Sequence, residues 1–189
     1  MSKPAALWCA CLVLAACASP QPKDRNATLY AAFPIAGGQT ITLPFTDAGA
    51  IPAENDRVKI LTAGFGIGPS KQNKKQAELF WGFDFEAKSS LEKLETVAVE
   101  EVSPSKTAVS FIQDTAPVLK NGVWSGTAKP IPANRASIPW LYTNDGSIYV
   151  FRFTIKPEGE AAFVLYQLAW FSAPAKQTLQ QLIEHIEHA

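Results

Sequence analysis

Residues 78–86 read Glu78-Leu79-Phe80-Trp81-Gly82-Phe83-Asp84-Phe85-Glu86. Leu79, Trp81, Phe83 and Phe85 fall at every second position, with Glu78, Gly82, Asp84 and Glu86 among the residues between them. A period of two belongs to a strand, whose successive side chains point to opposite faces. The stretch predicts a half-buried β-strand with four large apolar groups on its core side.

The same alternation recurs on both sides of it. Ile41, Leu43 and Phe45 alternate with Thr40, Thr42 and Pro44, and the missing N–H of Pro44 suits an edge strand. Residues 57–66, 96–102 and 107–113 are further strand candidates. In Gly64-Phe65-Gly66-Ile67-Gly68 the glycines leave one face of a strand bare, where a large neighbour can pack. The spacing is not that of a dinucleotide-binding loop, and Pro69 with a polar stretch containing Lys71, Lys74 and Lys75 follows instead of a helix. Residues 114–138, rich in Pro, Gly, Ala and Asn, read as a long loop with at most a short strand around Val123-Trp124.

The last third is more regular. Trp140 to Tyr142 runs into the turn signal Asn144-Asp145-Gly146. Tyr149, Phe151, Phe153 and Ile155 line one face of the next strand, Pro157-Glu158-Gly159 turns the chain, and residues 162–171 return. These three segments predict an antiparallel meander. The returning strand is apolar on both faces and must be covered on both. Pro174 suits a helix start, and Leu179, Leu182, Ile183 and Ile186 form a helical stripe. The expectation is a mainly β protein: a single antiparallel β-sandwich over residues 28–189, with an amphipathic helix at about 174–187 laid on the outer face of the sheet. An open barrel is the alternative.

The first twenty residues carry a separate message. Lys3 precedes an apolar run, Ala5 to Leu14, of about ten residues, half of the roughly 20 that a membrane-spanning helix needs. Leu14-Ala15-Ala16-Cys17 resembles the lipobox of bacterial lipoproteins. That resemblance implies a signal peptide over 1–16, cleavage before Cys17, and three acyl chains on Cys17, including palmitate. Two or more chains give stable anchoring where one does not. Ala18 and Ser19 stand where a retaining Asp would sit, which implies the outer membrane, facing the periplasm. Residues 17–27 are polar with two prolines and read as a tether.

Of the three cysteines, Cys9 and Cys11 would leave with the signal, and acylation would consume Cys17. The domain would then hold together without disulfides, in a compartment where they form. The formal net charge of +0 gives no long-range attraction to nucleic acid.

Catalytic chemistry finds little support. The two histidines, His185 and His188, sit at the end of the chain with Glu184, on the side of the helix away from its stripe. They are poorly placed as a general base, and make a poor metal cage. No G-x-S-x-G elbow is present. Glu100 and Glu101 are neighbours on a strand and so face opposite ways. Asp84, flanked by aromatics, lies on the polar face of its strand. The reading expects no enzyme, no metal and no cofactor.

Four tryptophans lie beyond the signal. Trp81 and Trp170 fit buried faces, whereas Trp124 and Trp140 lie in or beside the 114–138 segment and are the candidate binding residues. The function expected first is non-enzymatic protein–protein binding, as an envelope-complex subunit or an inhibitor or immunity protein. The alternative is a small-ligand or glycan-binding lipoprotein that uses exposed aromatics. A pocket between the sheets lined by Trp124 or Trp140 would favour the alternative. A carboxylate-based hydrolase ranks third.

Overall fold

A computed structural model describes residues 27–47 and 49–188. The signal segment, Cys17 and all of the tether except Ala27 lie outside the described residues. Eleven strands and one helix follow in chain order: β1 (Leu29–Pro34), β2 (Thr40–Thr46), β3 (Gly49–Ala50), β4 (Val58–Pro69), β5 (Ala77–Ala87), β6 (Leu94–Ser103), β7 (Val109–Asp114), β8 (Val123–Thr127), β9 (Ile131–Pro132), β10 (Ser147–Pro157), β11 (Phe163–Phe171) and α1 (Ala173–His188).

The strands form three antiparallel sheets, ordered β4-β5-β8, β11-β10-β6-β7 and β1-β2-β3, with β9 added to β5. The first two pack face to face as a sandwich, and no barrel closes. Between them lies the main core. Leu79, Trp81, Phe83 and Phe85 of β5 are buried against Phe151, Phe153 and Ile155 of β10 and Val97 and Val99 of β6. These are the alternating positions of each strand, so the period-two pattern is the pattern of burial. Trp81 is the hub, with the rings of Phe65, Phe111, Tyr149, Phe151 and Phe171 at 5.1–5.8 Å between centroids. Edge-on contacts of this kind add to the apolar burial.

The bare glycine face of β4 is used as the sequence suggests. Phe80 pairs with Gly66, and a Cβ on Gly66 would lie 2.7 Å from the Phe80 ring. Pro44 sits on β2 where only β1 pairs with it, since β3 joins only at Phe45 and Thr46.

Three expectations need correction. The helix does not cover the outer face of β11, and Trp170, expected to be buried there, is exposed. Leu168 on that face is buried with Val150, Val102 and Ile35 beneath the β1–β2 hairpin, with Phe33, Ile41, Leu43 and Phe45 packed around them. The helix packs instead against β4, β5 and the turn at Pro139–Tyr142, adding Ile183, Ile186 and Leu179 to the main core. The hairpin brings its own apolar face, Phe33, Ile41, Leu43 and Phe45, to this side of the sheet.

Trp140 to Tyr142 is not a strand. Pro139 starts a short 3-10 turn whose Leu141 is fully buried, and β10 has β6, not this segment, as its second neighbour. Within residues 114–138 the short strand expected around Val123-Trp124 is present as β8, and the two-residue β9 follows it. The β8 strand pairs with β5 from Gly82 to Glu86 and completes the first sheet. One of the four residues of the predicted helical stripe also differs: Leu182 is exposed, while Lys176 is buried on the inward side.

Candidate functional site

The two main sheets separate at one end, and an open cleft of about 570 Å³ lies between them. Its walls come from both layers. Trp81 of β5 and Tyr149 of β10 are core-face residues that line it. Phe111 on β7 and Trp140 on the 3-10 turn extend the apolar surface outward. One lip carries Ser105 and Val109, and the other carries Lys129 and Ile131. The four rings are contiguous: Trp81 stands 5.6 Å from Phe111, 5.3 Å from Tyr149 and 6.4 Å from Trp140, and Trp140 stands 5.6 Å from Tyr149.

Polar groups punctuate this apolar wall. The indole N–H groups of Trp81 and Trp140 and the Tyr149 hydroxyl find no hydrogen-bond partner among the described residues, and none of the three atoms is sealed from solvent. Burial pushes the Tyr149 phenol well above the usual tyrosine range, and the negative charge of Glu101 pushes it further. Tyr149 therefore keeps its proton and stays a donor at any physiological pH.

Glu101 continues the inward series of Val97 and Val99 on β6, so a carboxylate occupies a core-side position at the mouth of the sandwich. Its oxygens accept from the Ser105 backbone N–H (3.0 Å) and the Ser105 hydroxyl (2.7 Å). Glu100 points the opposite way and meets the guanidinium of Arg152 at 2.6 Å. The adjacent acids do face opposite sides of the sheet. Among the described residues that line the cleft, Glu101 is the one carboxylate, whereas hydrolysis by paired acids needs two. Asp84 lies across from Thr62 and Ser125, on the face of β5 away from Trp81 and Phe83.

The two candidate tryptophans separate here. Trp124 is buried, its ring stacked on Phe85 at 5.2 Å and its indole N–H donating to Asp114 at 2.9 Å. It has no free face for a ligand to stack on. Sequence alone left its burial open because the strand that carries it, β8, lies in a glycine- and proline-rich stretch. Trp140 is half-buried and lines the cleft.

A buried lysine holds Trp140 in place. Lys176 of α1 donates to the Trp140 carbonyl (2.7 Å), the Thr143 hydroxyl (2.8 Å) and the Asp145 carbonyl (2.6 Å). Its ammonium is also 5.9 Å from the Trp140 ring centre. Burial lowers the Lys176 pKa from the usual lysine value, while the Asp145 carboxylate pulls it the other way. Gln180, one turn on, donates to the Leu141 carbonyl at 2.6 Å. The helix thus fixes the turn that forms the end wall of the cleft.

Sequence reading passed over Glu101 and Tyr149 as site residues. The signal for both was present: alternation places Glu101 in register with Val97 and Val99, and Tyr149 in register with Phe151. A second hollow, of about 480 Å³, lies beside Ser89, Glu92, Lys93 and Glu158, but its wall is mainly polar and holds the exposed Lys93–Glu158 pair. His185, Glu184 and His188 are exposed on the helix. Among the described residues no three His, Cys, Asp or Glu side chains gather as metal ligands.

Comparison of the chain with family models, with curated proteins and with solved structures finds no match. The fold and the cleft define a class by themselves, a helix-buttressed β-sandwich with an aromatic cleft at one end.

Proposed function

We propose that this protein is a membrane-anchored bacterial envelope lipoprotein, facing the periplasm, that acts by binding a small molecule in the inter-sheet cleft. The cleft itself carries the reading. Its volume of about 570 Å³ falls in the range of small-molecule sites, roughly 300–1,000 Å³. It combines an aromatic wall with a few convergent polar groups, as such sites do. Trp140 belongs to it, and a pocket at Trp140 is the feature that favours ligand binding over a purely protein-binding surface. The lipobox at Leu14–Cys17 supports the anchor, and Ala18 and Ser19 support the outer membrane.

Binding to an envelope protein is the second reading. It is favoured by β1, an edge strand that leaves Leu29 and Tyr30 exposed next to the tether. An unpaired edge can accept a partner strand.

The test uses 1-naphthol, a small neutral aromatic probe, in equilibrium dialysis with the full chain in maltoside detergent. The Trp140→Ala chain in the same detergent serves as the comparison, with its fold checked by circular dichroism. Retention of the probe by the wild type and its loss in the variant are expected. Equal retention by the two chains would refute the cleft as the site.

A further inference from the structure

We propose that the cleft selects organic cations, holding a quaternary ammonium or similar head group against its aromatic rings with Glu101 as the counter-charge. The inference rests on the cleft being the binding site.

Two adjacent carboxylates on β6 differ in their partners. Glu100, with its side chain 27% exposed, holds Arg152 in an ion pair. Glu101 is 6% exposed, the more deeply buried of the two, yet no Lys, Arg or His lies within ion-pairing distance of it among the described residues. Its two hydrogen bonds come from neutral donors on Ser105, which orient the carboxylate without neutralising it. A carboxylate has about four lone-pair positions, so acceptor capacity remains. Buried charges are normally paired, because removal from water is otherwise uncompensated. Here the open side of the charge is the cleft.

The surroundings define which cation fits. Trp81, Phe111, Trp140 and Tyr149 supply π-faces and edges in one connected wall, and a cation within about 6 Å of such a ring is attracted to its face. A hard metal ion would need several oxygen ligands. One carboxylate among rings does not supply them, whereas a bulky ammonium with an apolar surface needs no such cage. Lys129 stands exposed on the opposite lip and would repel a second positive charge at the mouth. The part of the ligand that reaches the lip is therefore neutral or anionic.

Choline and tetramethylammonium are titrated into the full chain in maltoside detergent, with affinity read by calorimetry and tryptophan fluorescence. The uncharged isostere 3,3-dimethyl-1-butanol is titrated in parallel. Choline is expected to bind at least about tenfold more tightly than the isostere, which is the scale of a desolvated cation–π contact. Glu101→Gln, which keeps the side-chain shape, is expected to weaken choline at least about tenfold. Equal affinity for choline and its isostere, or an unchanged choline affinity in Glu101→Gln, overturns the proposal. Binding of 1-naphthol without any binding of choline overturns the cation selectivity and leaves the cleft reading standing. If neither probe binds, both fall.

Discussion

Replacing Lys176 with Met removes an ammonium while keeping an unbranched side chain of similar length. The three acceptors it serves, at 2.6–2.8 Å, would lose their donor. Hydrogen bonds from a charged group contribute about 1.5–3 kcal/mol each, so the gross loss is about 5–9 kcal/mol. Relief of ammonium desolvation, several kcal/mol for a buried ion, offsets part of it. Thr143 and Asp145 are exposed residues, so water can reach some of the orphaned acceptors. A net loss of about 2–3 kcal/mol follows. In a chain of this size that lowers Tm by about 5–10 °C. Urea unfolding followed by tryptophan fluorescence measures it directly. Affinity for 1-naphthol should fall in the same variant, because Lys176 pins the carbonyl of Trp140. An unchanged or raised unfolding midpoint would refute the reasoning, by showing that burial of the charge costs as much as its hydrogen bonds contribute.

Other perturbations address separate parts of the fold. Gly126→Ala would place a Cβ 2.5 Å from Cη2 of buried Trp124 and 2.6 Å from Cδ1 of Ile112, and overpacking of this kind costs about 1–3 kcal/mol in a urea melt; a neutral result would mean that the Trp124 site yields. Asp114→Ala leaves the buried Trp124 indole N–H without its acceptor, for an expected loss of about 1–3 kcal/mol, and an unaltered melt would show that water takes its place. The Arg57 guanidinium, bonded to both oxygens of Glu160, holds that carboxyl below the usual range. The folded value thus lies below the unfolded one, so the pair's contribution to stability is present above the unfolded value and is lost as pH falls through the folded one. Carboxyl NMR titration should show Glu160 shifting up in Arg57→Ala, and an unmoved titration would show that the pair is not formed in solution.

The legible part of this protein is its strand content. Leu79, Trp81, Phe83 and Phe85 announce a core face because a strand can bury only alternate residues, and the same rule places Phe151, Phe153 and Ile155 opposite them. Helix α1 was equally readable from Pro174 and its apolar stripe. Where the rule weakens, the reading does too. The β8 strand, with Trp124, is five residues in a stretch punctuated by Gly and Pro, and only pairing with β5 makes it a strand. No pattern in the sequence marks Lys176, whose burial depends on three acceptors from a turn more than thirty residues earlier in the chain.

Local pattern by itself determined the longer strands β2, β4, β5, β6, β7, β10 and β11, their apolar sides, and that the end of the chain is helical. These follow from the two-residue and 3.6-residue periods, which need no knowledge of partners. It did not mark β1, and it offered the 3-10 turn at Trp140 as a strand. Tertiary structure decided which element covers which face, and therefore where the sandwich stays open. The β1–β2 hairpin, not the helix, covers Leu168, which frees the helix to brace the Trp140 turn at the edge of the core. That choice depends on surfaces far apart in the chain meeting with complementary shape, and periodicity carries no information about it. The cleft with Glu101 and Tyr149 is a consequence of it: two residues in ordinary inward register become a site only because the sheets part beside them.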